Sequence, residues 1–143
     1  MRTDFSGNPT FRELLKRVRE VALQAYEHQD LPFEKLVEEM QPERDLSRTP
    51  LFQVVFVLQN APRSNLELPG LTLSSVVVDK GTATYDLNLG MWQTKQGLGG
   101  RIEYNSDLFD AATIRRLAEQ YQHLLAGVVA NLDSHVADLA ILT

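Results

Sequence analysis

Apolar residues recur at Phe11, Leu14, Leu15, Val18, Val21, Ala22 and Ala25, with Arg12, Lys16, Arg17, Arg19 and Glu20 on the other side. That spacing predicts an amphipathic helix. Thr10 and Glu13 have capping-box spacing at its start, so each can satisfy a backbone N–H left over in the first turn. The helix should end near His28. A second, short helix is predicted from Asp30-Leu31-Pro32-Phe33-Glu34. Proline is tolerated in a first turn, Asp30 is placed to cap it, and Leu36, Val37 and Met40 continue an apolar face that stops before Pro42.

A charged loop over residues 41–49 leads to Leu51-Phe52-Gln53-Val54-Val55-Phe56-Val57-Leu58. Apolar on both faces, this run predicts a central strand covered on both sides. Residues 66–68 and 71–79 read as two further strands around Pro69-Gly70, followed by a loop over residues 80–84. Tyr85, Leu87, Leu89 and Met91 alternate with Asp86, Asn88, Gly90 and Trp92, the period of a strand. A turn over residues 94–97 returns the chain through residues 98–104, with Ile102 and Tyr104 inward. Gly99 and Gly100 are expected to mark a bulge there. Asp110 is expected to cap a last helix whose face is Ile114, Leu117, Ala118, Tyr121, Leu124, Leu125, Val128 and Val129. It should stop near Asn131, and an apolar tail over residues 136–142 should pack back. The order predicts an α+β fold with a mixed or antiparallel sheet and flanking helices.

The 143 residues suit one domain or one large subdomain. A net charge of -5 without a basic block argues against a nucleic-acid partner, because phosphate neutralisation needs clustered Lys and Arg. The absence of cysteine excludes disulfides and thiol chemistry and suits a reducing cytoplasm. No apolar run approaches the ~20 residues that cross a bilayer, and the polar N-terminus does not read as a secretory signal. The expectation is a cytoplasmic protein without a membrane partner.

Candidate chemistry is sparse. His28, His123 and His135 are far apart in sequence and stand in no metal-ligand motif. His123 falls on the polar side of the last helix, where exposure is the simple reading, and His135 lies in the tail. Glu38 and Glu39 read as a solvated face. Gly97-Leu98-Gly99-Gly100 sits in a hairpin and lacks the strand-to-helix setting of a phosphate loop. Before the apolar strand, Asp45 is placed to accept bonds from Arg48 or from backbone N–H groups and so fix the strand entry; direct substrate contact is the alternative. Neither a metal site nor a catalytic group follows from the residues themselves.

Two stretches nonetheless stand out. His28, Gln29, Asp30, Pro32, Phe33 and Glu34 match H-Q/N-D-x-P-F-E, and Arg44, Asp45, Ser47, Arg48, Pro50, Leu51, Phe52 and Gln53 match R-D-x-S-R-x-P-L-F-Q. These resemble the sixth and seventh core motifs of condensation domains of non-ribosomal peptide synthetases. Thr84-Tyr85-Asp86-Leu87 and Glu103-Tyr104-Asn105-Ser106-Asp107-Leu108-Phe109-Asp110 are similar to the family's later strands and final helix entry. The resemblance covers essentially the whole chain.

It implies the C-terminal, acceptor-side subdomain over residues 1–143, with a chloramphenicol-acetyltransferase-like fold, and an excised piece or one partner of a split protein. The family's H-H-x-x-x-D-G motif, whose second histidine is tied to catalysis, lies in the N-terminal subdomain and is not found here. No catalytic residue is carried over, and the matched motif positions are expected to be mostly structural. The chain alone is expected to be inactive, as part of an acyltransferase that forms amide bonds between carrier-bound aminoacyl or peptidyl thioesters. The alternative is a stand-alone, non-catalytic module that binds a carrier protein or a neighbouring synthetase domain. The implied partners are the N-terminal condensation subdomain, carrier proteins and a downstream adenylation domain. No cofactor is expected to bind directly, since the substrates ride on carrier-protein phosphopantetheine. Asp79, Lys80, Gly81, Thr82, Ala83 and Thr84 form either the family's crossover towards the N-terminal half or an ordinary hairpin loop. His28 is expected to cap or pack at a helix end. The face turned towards the other half should hold apolar area, and the fragment should self-associate.

Overall fold

The structure, a computed structural model, describes residues 2–41, 49–60, 70–71, 81–94 and 96–141. Its elements run α1 (Phe11–Glu27), α2 (Phe33–Met40), β1 (Val54–Gln59), β2 (Leu87–Thr94), β3 (Gly97–Tyr104), α3 (Ala111–Ala130) and a short 3-10 turn (Val136–Asp138). Helices and a mixed sheet confirm the α+β expectation. The chain divides into two units, Met1–Glu43 with Ala112–Thr143, and Arg44–Ala111.

In the helical unit, α1 begins where its residues dictate. Thr10 is extended, its hydroxyl accepts the Glu13 N–H, and the Glu13 carboxylate accepts the Thr10 N–H at 2.9 Å. The first four amides of a helix have no partner within it, and here all four find one. Phe11 and Arg12 donate to the carbonyls of Ser134 and Leu132, each at 3.0 Å, Glu13 donates to the Thr10 hydroxyl, and Thr10 donates to the Glu13 carboxylate. The C-terminal tail thus finishes the first turn of α1. A Thr10–His135 bridge, the Val136 N–H on the Pro9 carbonyl and the Ala137 N–H on Asn8 Oδ1 extend the clasp. The tail does pack back, as its apolar content predicts, and backbone bonds do much of the holding. Leu14, Ile114 and Val128 are the buried apolar side chains of this unit among the described residues. Val129, expected on the buried face of α3, is 80% exposed; it follows Val128 by about 100° around the helix and so leaves the stripe.

The second helix departs from expectation at its start. Pro32, extended at φ -61 and ψ 141, is the residue that precedes α2, and no side chain caps it. Asp30 therefore does not cap. A residue before proline is pushed out of helical geometry, so the helix cannot begin at Leu31 and Asp30 is left two residues outside the cap position. Gln41, left-handed at φ 39, ends α2 ahead of Pro42.

In the sheet unit the order is β1-β2-β3. β1 runs parallel to β2, with Val54 opposite Leu87, and β2 and β3 form an antiparallel hairpin, with Thr94 opposite Gly97. Two expectations are corrected. β1 stands at the end of the order among the described strands, and Val54, Phe56 and Leu58 are 63%, 57% and 49% exposed, so this face is not covered as expected. A doubly apolar run reports what a strand would cover, not what covers it. The β2–β3 register also passes through Gly99 and Gly100 unbroken, so there is no bulge. Gly99 lies opposite Trp92, and a Cβ there would come within 2.9 Å of the indole Nε1. The glycine makes room for the ring. The strand expected at residues 66–68, and all but Leu71 of the one expected at 71–79, lie outside the described residues.

Candidate functional site

The first matched motif forms the junction between α1 and α2. His28 is the C-cap of α1, its backbone N–H donating to Ala25 and Tyr26 carbonyls, and the Leu31 N–H donates to the His28 carbonyl. Its neighbours Gln29, Asp30, Phe33 and Glu34 are exposed. Downstream, Lys35 and Glu38 make an exposed ion pair at 2.8 Å.

Of the second motif, Arg44, Asp45, Ser47 and Arg48 lie outside the described residues. Thr49 to Gln53 close a small ring of bonds. Gln53 Nε2 donates to the Thr49 carbonyl at 3.1 Å, the Thr49 hydroxyl donates to the Phe52 carbonyl, and the Phe52 N–H donates to the Pro50 carbonyl. Within this ring Leu51 adopts φ 69, a conformation unusual for a side chain of its size, held because the bonds on either side fix it.

The sheet unit brings three of the matched stretches together. Phe52 stacks on Tyr85 with ring centroids 5.7 Å apart. The Gln53 carbonyl accepts the Leu87 N–H, and the Asp86 carbonyl accepts the Asn105 N–H at 3.0 Å. Asn105 in turn accepts the amides of Leu108 and Phe109 on its carbonyl and that of Asp107 on its side chain. Three matched stretches are thus joined by one aromatic stack and by backbone bonds.

Paired strand positions share a face. One face carries Val54, Phe56 and Leu58, then Leu87, Leu89 and Met91, then Leu98, Ile102 and Tyr104. The other carries Asn88 opposite Glu103 and Gly90 opposite Arg101, flanked by Val55 and Val57. The Asn88 Oδ1 is enclosed without a hydrogen-bond partner. An open groove of about 640 Å³ runs beside β3, lined by residues 81–83 and 101–107. Gly81, Thr82 and Ala83 of the candidate crossover loop thus form one wall of this groove, Thr84 is exposed, and Asp79 and Lys80 lie outside the described residues. The groove was not read from sequence. The position of Gly99 opposite Trp92 could have been, because a turn closed by Thr94 and Gly97 fixes every later pair.

Charge perturbations cluster in the helical unit. The backbone N–H of Thr10 holds the Glu13 carboxyl below its ordinary value. A hydrogen bond from Arg12, at 2.7 Å, does the same for Asp133 and raises the guanidinium in turn. These groups are exposed and belong to the clasp. Among the described residues no group of three or more His, Cys, Asp or Glu side chains could hold a metal ion, and no helix is long and apolar enough to cross a membrane. His123 is exposed, and His135 Nδ1 lies 2.7 Å from the Asn8 carbonyl.

The condensation-domain family model matches residues 1–143. Malpinin synthetase of Mortierella alpina is 44% identical over 143 residues, covering 100% of this chain and 2% of that protein. The dimodular nonribosomal peptide synthase of Bacillus subtilis is 43% identical over 148 residues, covering 99% of this chain and 6% of that protein. The chain therefore spans a few hundredths of the length of the curated relatives it matches. Among solved structures, the X-domain from teicoplanin biosynthesis superposes with a TM-score of 0.83 at 32% identity, over 99% of this chain and 33% of that one. A four-domain nonribosomal peptide synthetase bound to AMP and glycine gives a TM-score of 0.83 at 27% identity, over 98% and 12%.

Proposed function

This chain belongs to the condensation-domain family of non-ribosomal peptide synthetases, and from that premise we propose that it is the C-terminal, acceptor-side subdomain of such a domain. The observation that carries the reading is a family match over residues 1–143 in a sequence without H-H-x-x-x-D-G. The reaction is amide formation between two carrier-bound substrates. The acceptor amine attacks the donor thioester carbonyl, the C–N bond forms as the C–S bond breaks, the amine loses a proton, and the donor's phosphopantetheine leaves as the thiol. In this reading the motif histidine that serves the step stands in an N-terminal subdomain. This chain supplies a wall of the substrate channel and surface for the acceptor carrier, with an adenylation domain downstream and the cytoplasm as its compartment. The loop at residues 79–84 is the crossover towards the other subdomain. Phosphopantetheine enters as part of the loaded carriers.

Support comes from the sheet unit, where Phe52 stacks on Tyr85 and the Asn105 backbone bonds that of Asp86, joining three matched stretches. Such mutual fixing suits a scaffold whose chemistry is provided elsewhere. Mixing the chain with a matching N-terminal subdomain and two loaded carrier proteins tests the reading. Product from the mixture and none from the chain alone is the expected result. Condensation by the chain alone would refute it, and carrier binding without restored condensation would favour a non-catalytic interaction module.

A further inference from the structure

We infer that the outer edge of β3 is a self-association surface, on which a second copy of this chain adds as an antiparallel strand with Ile102 opposite Ile102. β3 ends the order of the described strands, and among the described residues no backbone pairs with its outer side. An unpaired strand edge is a template for another strand.

The direction of each backbone group follows from one bond. The Asn105 N–H donates to the Asp86 carbonyl of the neighbouring chain segment. Backbone groups alternate sides along a strand, so Glu103 and Arg101 also turn theirs towards β2, while Gly100, Ile102 and Tyr104 turn theirs outward. A two-fold axis at Ile102 sets Gly100 opposite Tyr104 of the second copy and Arg101 opposite Glu103 of the second copy. The outward residues exchange both backbone bonds. Arg101 and Glu103 fall at the closely spaced pairs that exchange none, where side chains are nearest.

The charges select this register. Moving the axis to Arg101 sets arginine against arginine, and moving it to Glu103 sets glutamate against glutamate. Only the Ile102 axis, of these three, gives acid against base twice over. On the opposite face the Tyr104 ring of each copy lies over Gly100 of the other, where no side chain competes, a pairing that compensates a strand glycine. The two sides of the contact are the same patch, as a two-fold interface requires. This surface is separate from the apolar face on which self-association was expected from sequence, and the inference does not rest on the proposed function.

Sedimentation velocity on the 143-residue chain tests it. A concentration-dependent dimer is expected. Arg101→Glu and Glu103→Arg should each weaken it by about tenfold or more, since both pairs then become like-charged. An equimolar mixture of the two variants should recover a dimer, and so should the double variant R101E/E103R, which should form no mixed dimer with the wild-type chain. Circular dichroism establishes that each variant is folded; should a single variant be unfolded, the double variant and its failure to mix with wild type decide alone. A chain that stays monomeric overturns the inference. So does a dimer that neither single substitution moves, which would place the contact on the apolar face, and so does the absence of recovery in the mixture.

Discussion

The ring of Phe52 stacks on that of Tyr85 at an angle of 28°, fastening the strand-entry loop before β1 to the start of β2. The two residues belong to separate matched stretches, and their contact is local to the sheet unit.

Replacing Phe52 and Tyr85 by leucine, singly and together, should therefore expose a coupling. Stacked aromatic pairs contribute about 0.5–1.5 kcal/mol beyond area burial. The double variant should be more stable than the sum of the single losses by an amount in that range, read from urea unfolding. Strict additivity would mean that the stack contributes nothing.

Gly99→Ala should disturb the hairpin, whereas Gly90→Ala should not. The added Cβ at Gly99 would meet Trp92 Nε1 at 2.9 Å, while at Gly90 it meets nothing within 4 Å. The expected effects are a cost of about 1–3 kcal/mol for the first, as for overpacking, and a gain of about 0.5–1 kcal/mol for the second, because a strand glycine is destabilising relative to alanine. Trp92 is the single tryptophan, so its emission should shift in G99A and stay fixed in G90A.

Acid should loosen the clasp between α1 and the tail. Glu13 and Asp133 are held below their ordinary values of 4.5 and 3.8, by the Thr10 N–H and by Arg12. A depressed carboxyl stabilises the fold above its unfolded value and loses that contribution as pH falls through its folded value. The urea midpoint should thus fall as pH drops below about 4.5. Glu13→Gln should flatten part of that slope. Thr10→Ala should cost about 1 kcal/mol at neutral pH through the lost cap. An unchanged slope in E13Q would show that Glu13 does not contribute to the acid response.

How much of this was legible in the sequence depended on whether the cause lay within one element. Thr10, Glu13 and the stripe on α1 announce a helix and its first residue, because cap and helix are adjacent in the chain. The turn between Thr94 and Gly97 was equally plain. The exposure of Val54, Phe56 and Leu58 was not, since alternation cannot say which neighbour covers a face. Asp30 misled because proline excludes Leu31 from the helix, a backbone effect that outranked side-chain capping. The completion of the first turn of α1 by Leu132 and Ser134 could not be seen, because backbone carbonyls leave no mark on composition. At the candidate site, the long motif matches carried the family, while the Phe52–Tyr85 stack and the backbone bond between Asn105 and Asp86 needed coordinates to be seen.

The central claim is tested most directly by intact-protein mass spectrometry of an acceptor carrier incubated with a loaded donor carrier, this chain and a matching N-terminal subdomain. Our account predicts the mass of the condensed product only when both parts are present, and its loss when the second histidine of the partner's H-H-x-x-x-D-G motif is replaced by alanine. Condensed product from this chain without the N-terminal part, or product that survives the histidine replacement, would contradict it.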